Sequence, residues 1–151
     1  MLIYLDSVIL VYAFDHTGLY NSRATRRLAA LASAGDEIAV SDVVRLECRV
    51  KHVRTGNTAQ LAVFDTFFAK PDVRMIAITT PVFDRATLIR AIHNFKLGDA
   101  LNLAAAVIGG CDRFLTNDAR LSSFTDIAVP IVLHRNAFPN MLIDITLSRN
   151  L

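Results

Sequence analysis

Short apolar runs alternate with longer segments of helical period along most of this chain, and that alternation restricts its fold more than any other feature. Residues 2–5, 37–40, 73–78 and 113–116 read as strands, because each is a brief β-compatible run bounded by turn or cap residues. Between them, residues 7–14, 21–34, 42–55, 58–69, 80–95 and 99–108 read as helices. Gly35, Gly56-Asn57, Pro71 and Gly109-Gly110 supply the stops, and Thr79-Thr80-Pro81 supplies a start. Residues 128–133 form a weaker fifth strand, with Pro130 suited to a sheet edge. Strands that alternate with helices predict a parallel sheet with right-handed crossovers. The expected fold class is therefore α/β: three layers, with a mostly parallel central sheet of four to five strands flanked by helices. A 53% apolar content in 151 residues suits one domain whose sheet is covered on both faces.

No apolar run approaches the ~20 uncharged residues that a membrane-spanning helix requires. Asp6 interrupts the N-terminal apolar stretch, and no basic region precedes it, so a signal peptide is not expected. Cys48 and Cys111 lack CxxC spacing, which fits reduced thiols in a cytoplasmic protein. The net charge of +2 does not by itself indicate nucleic acid. Arg23, Arg26 and Arg27 cluster on one expected helix, and Arg45, Arg49, Lys51 and Arg54 on another. Such clusters hold phosphates or simply form solvated helix faces.

Four acidic residues stand where an α/β chain has most difficulty accommodating them. Asp6 ends the first strand, Glu47 lies on an apolar helix, Asp99 opens the apolar stretch to Ile108, and Asp118 follows the fourth strand. A lone carboxylate in such a place costs roughly several kcal/mol unless it is protonated, paired or metal-bound. Ligand sites in open parallel sheets form beyond the carboxyl ends of the strands, which is where Asp6, Asp99 and Asp118 are expected to meet. On a 3.6-residue period Glu47 shares a face with Val43, Val44 and Val50, the stripe expected to pack on the sheet. Each acid also has an ordinary reading. Asp6 and Asp99 are possible helix caps, Asp118 possible turn chemistry, and only Glu47 lacks a comfortable one.

With these residues in place, the chain resembles the PIN-domain ribonucleases, in particular the VapC-type toxins of toxin–antitoxin pairs. The resemblance covers residues 1–133 and is carried by four strings: Tyr4-Leu5-Asp6-Ser7, Ser41 to Glu47, Leu97-Gly98-Asp99 to Ala106, and Phe114-Leu115-Thr116-Asn117-Asp118. It implies that Asp6, Glu47, Asp99 and Asp118 form a catalytic Mg²⁺ or Mn²⁺ site, with Ser7 and Thr116 as polar supports. It also implies cleavage of RNA to 5′-phosphate and 3′-hydroxyl products. The expected partners are an RNA substrate, a cognate antitoxin and a second copy of the chain. One departure stands out: family members usually carry Ser or Asn two positions after the first aspartate, where this chain has Val8. Either Ser7 takes over that polar role or the site holds its metal or substrate less tightly. A PIN-like module that binds RNA or protein without cleaving is thus the alternative.

An all-oxygen donor set favours Mg²⁺ or Mn²⁺ over zinc, and the four histidines show no zinc spacing. Arg45 and Arg49 are the expected substrate-phosphate contacts. A haloacid-dehalogenase-like phosphatase wants an aspartate where Val8 stands, and no GxSxG or GxxxxGK[ST] string occurs. Leu61, Val63, Phe64, Phe67 and Phe68 on the fourth helix read either as core or as a partner surface. Residues 134–151 extend beyond the usual end of the domain and include 141–147, a short added strand or partner-binding tail.

Overall fold

The computed structural model describes residues 1–129. The sheet has four parallel strands, β1 (Leu2–Leu5), β2 (Glu37–Ser41), β3 (Val73–Ile76) and β4 (Arg113–Leu115), in the order β3-β2-β1-β4. Six helices connect them: α1 (Ser7–Phe14), α2 (Leu19–Ser33), α3 (Asp42–Thr55), α4 (Thr58–Phe68), α5 (Thr80–His93) and α6 (Leu97–Ile108). The chain steps from β1 to β2 to β3 in one direction, then returns past β1 to β4. Right-handed crossovers consequently place α1–α4 on one face and α5–α6 on the other. This is the expected α/β architecture.

That strand order puts the switch point between β1 and β4, the place where successive connections leave to opposite faces and a crevice opens. The two strands pair as Ile3 with Arg113, Tyr4 with Phe114 and Leu5 with Leu115. The ladder ends where the Asp6 amide donates to the Leu115 carbonyl at 2.9 Å. Asp6 and Thr116 are therefore the first residues past the ladder on either side of the switch point.

Burial explains why the sheet is uninterrupted. All four residues of β1 are buried, as both-face coverage requires, and Ala100 to Ala106 of α6 are buried without a break. The run of small residues Ala104-Ala105-Ala106 lets α6 lie close against the strands. Tyr4 stacks on Phe114 with ring centroids 5.3 Å apart, which locks β1 to β4 through their side chains as well as their ladder.

Several boundaries differ from the sequence reading. Helix α2 begins at Leu19 rather than 21, after Gly18 in a positive-φ conformation. Strand β3 ends at Ile76, and α5 ends at His93 because Asn94 adopts the left-handed conformation (φ 55°). Helix α6 begins at Leu97, so Asp99 lies within its first turn while Lys96 is the N-cap. The fifth strand is, among the described residues, one parallel bridge between Ala128 and Arg113. Its remainder, and the extension expected over 134–151, lie outside the described residues. Phe64, Phe67 and Phe68 of α4 are core, packed with Phe14 and His52, rather than a partner surface. Both cysteines are free. Among the described residues no helix is long and apolar enough to cross a membrane.

Candidate metal centre

One open cavity of about 420 Å³ lies at the switch point, lined by all four sequence-selected acids together with Ser7, Val8, Lys96 and Arg120. Each acid arrives by a different route. Asp6 is the N-cap residue of α1 by position, yet its carboxylate makes no cap bond. Instead Thr116 Oγ1 donates to Asp6 Oδ2 at 2.6 Å, and Thr116 Oγ1 in turn accepts the Asp118 amide at 3.0 Å. Thr116 is fully buried and thereby fixes both acids from the end of β4. Asp99 projects from the first turn of α6, where the helix dipole favours a negative charge. Asp118 keeps its ordinary role as well, since its Oδ1 accepts the Arg120 amide at 3.0 Å and caps a 3₁₀ turn over residues 119–123.

Glu47 reaches the cavity by a path that differs from the sequence reading. The buried stripe of α3 is Val44, Cys48 and His52, whereas Val50 is exposed and Val43 only half-buried. Glu47 is on the flank of this stripe, facing α6. A buried polar chain aims it: the Tyr4 hydroxyl lies 2.7 Å from Ser41 Oγ and 2.8 Å from Asn102 Oδ1. Ser41 Oγ also approaches Asn102 Oδ1 at 3.3 Å. With its oxygen facing two hydroxyl donors, Asn102 is left to direct its amide nitrogen at Glu47 Oε2, 3.4 Å away. Gly98 supplies the space for this carboxylate, because a Cβ built there would stand 2.6 Å from Glu47 Oε1.

The electrostatics follow from this crowding. Burial pushes the Asp6 carboxyl from 3.8 up to about 6, with Thr116 pulling it back and the Glu47 and Asp99 charges raising it further. Glu47 is also raised, by burial first, against hydrogen bonds from Ser7 and Asn102. Asp99 is raised by burial and lowered by Arg120. Asp118 alone is depressed, chiefly through its hydrogen bond to Arg120. Three carboxyls in one cavity thus resist ionisation, which is the condition a divalent cation relieves.

Donor chemistry fits a hard cation, since every acidic group facing the cavity offers carboxylate oxygen. Even so, among the described residues no three carboxylate, imidazole or thiol groups are grouped tightly enough to hold a metal ion. The Arg120 guanidinium binds Asp118 through Nε and Nη2 and reaches Asp99 Oδ2 at 3.5 Å.

The structure does not bring Arg45 and Arg49, the expected substrate-phosphate contacts, to this cavity. They line a separate groove with Asp42, Leu46, Val50 and Val53 on the outer face of α3. Arg45 pairs with Asp42 at 3.7 Å and Arg49 with Asp65 at 2.7 Å. Among the described residues, the cations that face the acids are Lys96 and Arg120, which the sequence reading passed over. It also passed over Asn102, whose signal was available as an amide inside an otherwise apolar helix.

The PIN domain family model matches residues 3–127. Among solved structures, the chain is similar to VapBC2 from Rickettsia felis bound to a promoter DNA fragment, with a TM-score of 0.70 and 18% identity over 87% of this chain and 98% of that one. It is similar to VapC20 of Mycobacterium tuberculosis, a sarcin-ricin-loop-cleaving toxin, with a TM-score of 0.69 and 16% identity over 83% and 98% of the two chains. DNA-bound VapBC of Salmonella typhimurium gives a TM-score of 0.70 at 16% identity, over 88% of this chain and all (100%) of that one. At such identities the likeness is one of fold. No curated protein matches the sequence.

Proposed function

This chain belongs to the PIN-domain family, and from that premise we propose that it is a Mg²⁺- or Mn²⁺-dependent endoribonuclease acting as the toxin of a toxin–antitoxin pair. The observation that carries the reading is the convergence of Asp6, Glu47, Asp99 and Asp118 from four separate chain segments on one cavity at the switch point. Three of these carboxyls have raised affinity for protons, the signature of negative charge held ready for a cation. The similarity in fold to the toxins of three VapBC-type systems supports the partner assignment, a small antitoxin. A homodimer remains part of the proposal by resemblance alone.

In this reading Asp6 and Asp99 would hold the ion, while Glu47 and Asp118 would support it through water or orient the nucleophile. Polarisation of a phosphoryl oxygen and activation of water for in-line attack are the chemistry that a bound Mg²⁺ or Mn²⁺ supplies. Thr116 holds Asp6 in place, and the chain Tyr4–Ser41–Asn102 holds Glu47. Among the described residues no histidine lines the cavity, and in this reading proton transfer is assigned to carboxylate or solvent.

The purified protein should cleave RNA with added Mg²⁺ or Mn²⁺, stop on adding EDTA, and lose cleavage with Asp99→Asn. Metal-independent cleavage, or an active Asp99→Asn protein, would refute this function. Val8 lines the cavity at the position where the family usually has a polar residue. For that reason the non-cleaving RNA- or protein-binding module stands as the second reading. Metal binding without cleavage of any RNA would select it.

A further inference from the structure

Arg120 is exposed over 57% of its side chain, yet it is pinned to the acids rather than extended into solvent. Its Nε stands 2.9 Å from Asp118 Oδ1 and 3.0 Å from Oδ2, and Nη2 contacts Asp118 again while approaching Asp99 Oδ2 at 3.5 Å. The local turn explains this placement. Asp118 Oδ1 caps the Arg120 backbone amide, and that two-residue turn folds the arginine back over the carboxylate that caps it. Both Asp118 oxygens are consequently engaged by one guanidinium, the geometry in which a fork and a carboxylate pair most fully. Lone pairs that a cation would need are taken by a charge belonging to the chain itself.

We propose that Arg120 is the internal counter-ion of the carboxylate cavity, displaced from Asp118 and Asp99 when a divalent cation enters, and that it thereby sets the metal affinity. The inference rests on the metal-dependent reading above and goes beyond it by assigning a residue that opposes loading. Two observations carry it together: the guanidinium bridging two of the four acids, and its engagement of both Asp118 oxygens at once. Solvent exposure of the arginine makes the exchange feasible, because an exposed ion pair is readily replaced by water or by a stronger cation. Once displaced, the guanidinium stays tethered near the dication and continues to repel it. Lys96, on the cavity wall, adds to the same repulsion but forms no such fork.

The test is titration of the full-length protein with Mn²⁺ alone, by calorimetry, for wild type, Arg120→Gln, Arg120→Lys and Asp99→Asn. Removal of one positive charge a few ångströms from the ion is expected to tighten Mn²⁺ binding roughly fivefold in Arg120→Gln. Arg120→Lys keeps the charge without the fork and should fall between wild type and Arg120→Gln. Binding by Arg120→Gln that equals or is weaker than wild type overturns the counter-ion assignment while leaving the metal site standing. A wild-type protein that binds no Mn²⁺, or an Asp99→Asn protein that binds as well as wild type, overturns the metal reading and this inference with it.

Discussion

A methyl group added at Gly98 should separate stability from function in this protein. Gly98 is the second residue of α6, and a Cβ there would stand 2.6 Å from Glu47 Oε1 and 3.8 Å from Glu47 Cδ, with no other neighbour within 4 Å. Ordinary contact begins at 3.4 Å, so the oxygen must retreat by about 0.8 Å. Only the end of a flexible side chain has to move, and alanine is the better helix former by ~0.5–1 kcal/mol in a helix interior, less at this terminal turn. Gly98→Ala is therefore expected to melt at or slightly above the wild-type temperature. A catalytic group misplaced by ~1 Å can cost ~100-fold in rate. The expected result is a 10- to 100-fold loss of RNA cleavage at saturating Mg²⁺, on the scale of that same misplacement cost. Thermal melts paired with cleavage assays on one preparation would measure both. Full activity in Gly98→Ala would refute the placement of Glu47, and a large loss of stability would refute the claim that only its carboxylate yields.

The metal-free protein should lose stability as pH rises from about 4 to about 6. Asp6, raised from 3.8 to about 6, holds its proton more tightly folded than unfolded, so its contribution is present below 3.8 and lost as pH passes 6. A rise from 3.8 to about 6 corresponds to about 3 kcal/mol at most. Glu47 and Asp99 act in the same sense, whereas the depressed Asp118 acts in the opposite sense and at lower pH. Urea unfolding in EDTA at about pH 5 and pH 7.5 checks the sign, and greater stability at the higher pH would contradict it. Saturating Mg²⁺ should raise the melting temperature at neutral pH, with ~2.7 kcal/mol of stabilisation at one hundred times its Kd. Asp99→Asn should remove that rise yet leave the metal-free protein as stable as wild type or more so, because it deletes a charge that burial already opposes. Tyr4→Phe should cost ~1–2 kcal/mol in urea unfolding, since Ser41 and Asn102 lose a buried hydroxyl partner; an unchanged midpoint would show that the polar chain is not a unit.

Sequence alone determined the alternation of strands and helices, and with it the parallel sheet and the edge at which Asp6, Asp99 and Asp118 gather. Those three are legible because each is adjacent in sequence to the end of a strand or the start of a helix, and right-handed crossovers bring such ends to one side. Tertiary structure decided what depends on which apolar surface a helix buries. Helix α3 carries apolar residues around much of its circumference, with Leu46, Val50 and Val53 exposed opposite Val44 and Cys48. Periodicity therefore cannot by itself select the face that packs: Val44 and Val43 turn to the core as expected, whereas Val50 faces outward and Glu47 lies on the flank. Asn102, Gly98 and Arg120 act through space, across contacts with Glu47 and with Asp118 and Asp99. Their roles are fixed by the approach of α3 to α6 and by one capped turn after β4, which are distances between segments rather than properties of any one of them.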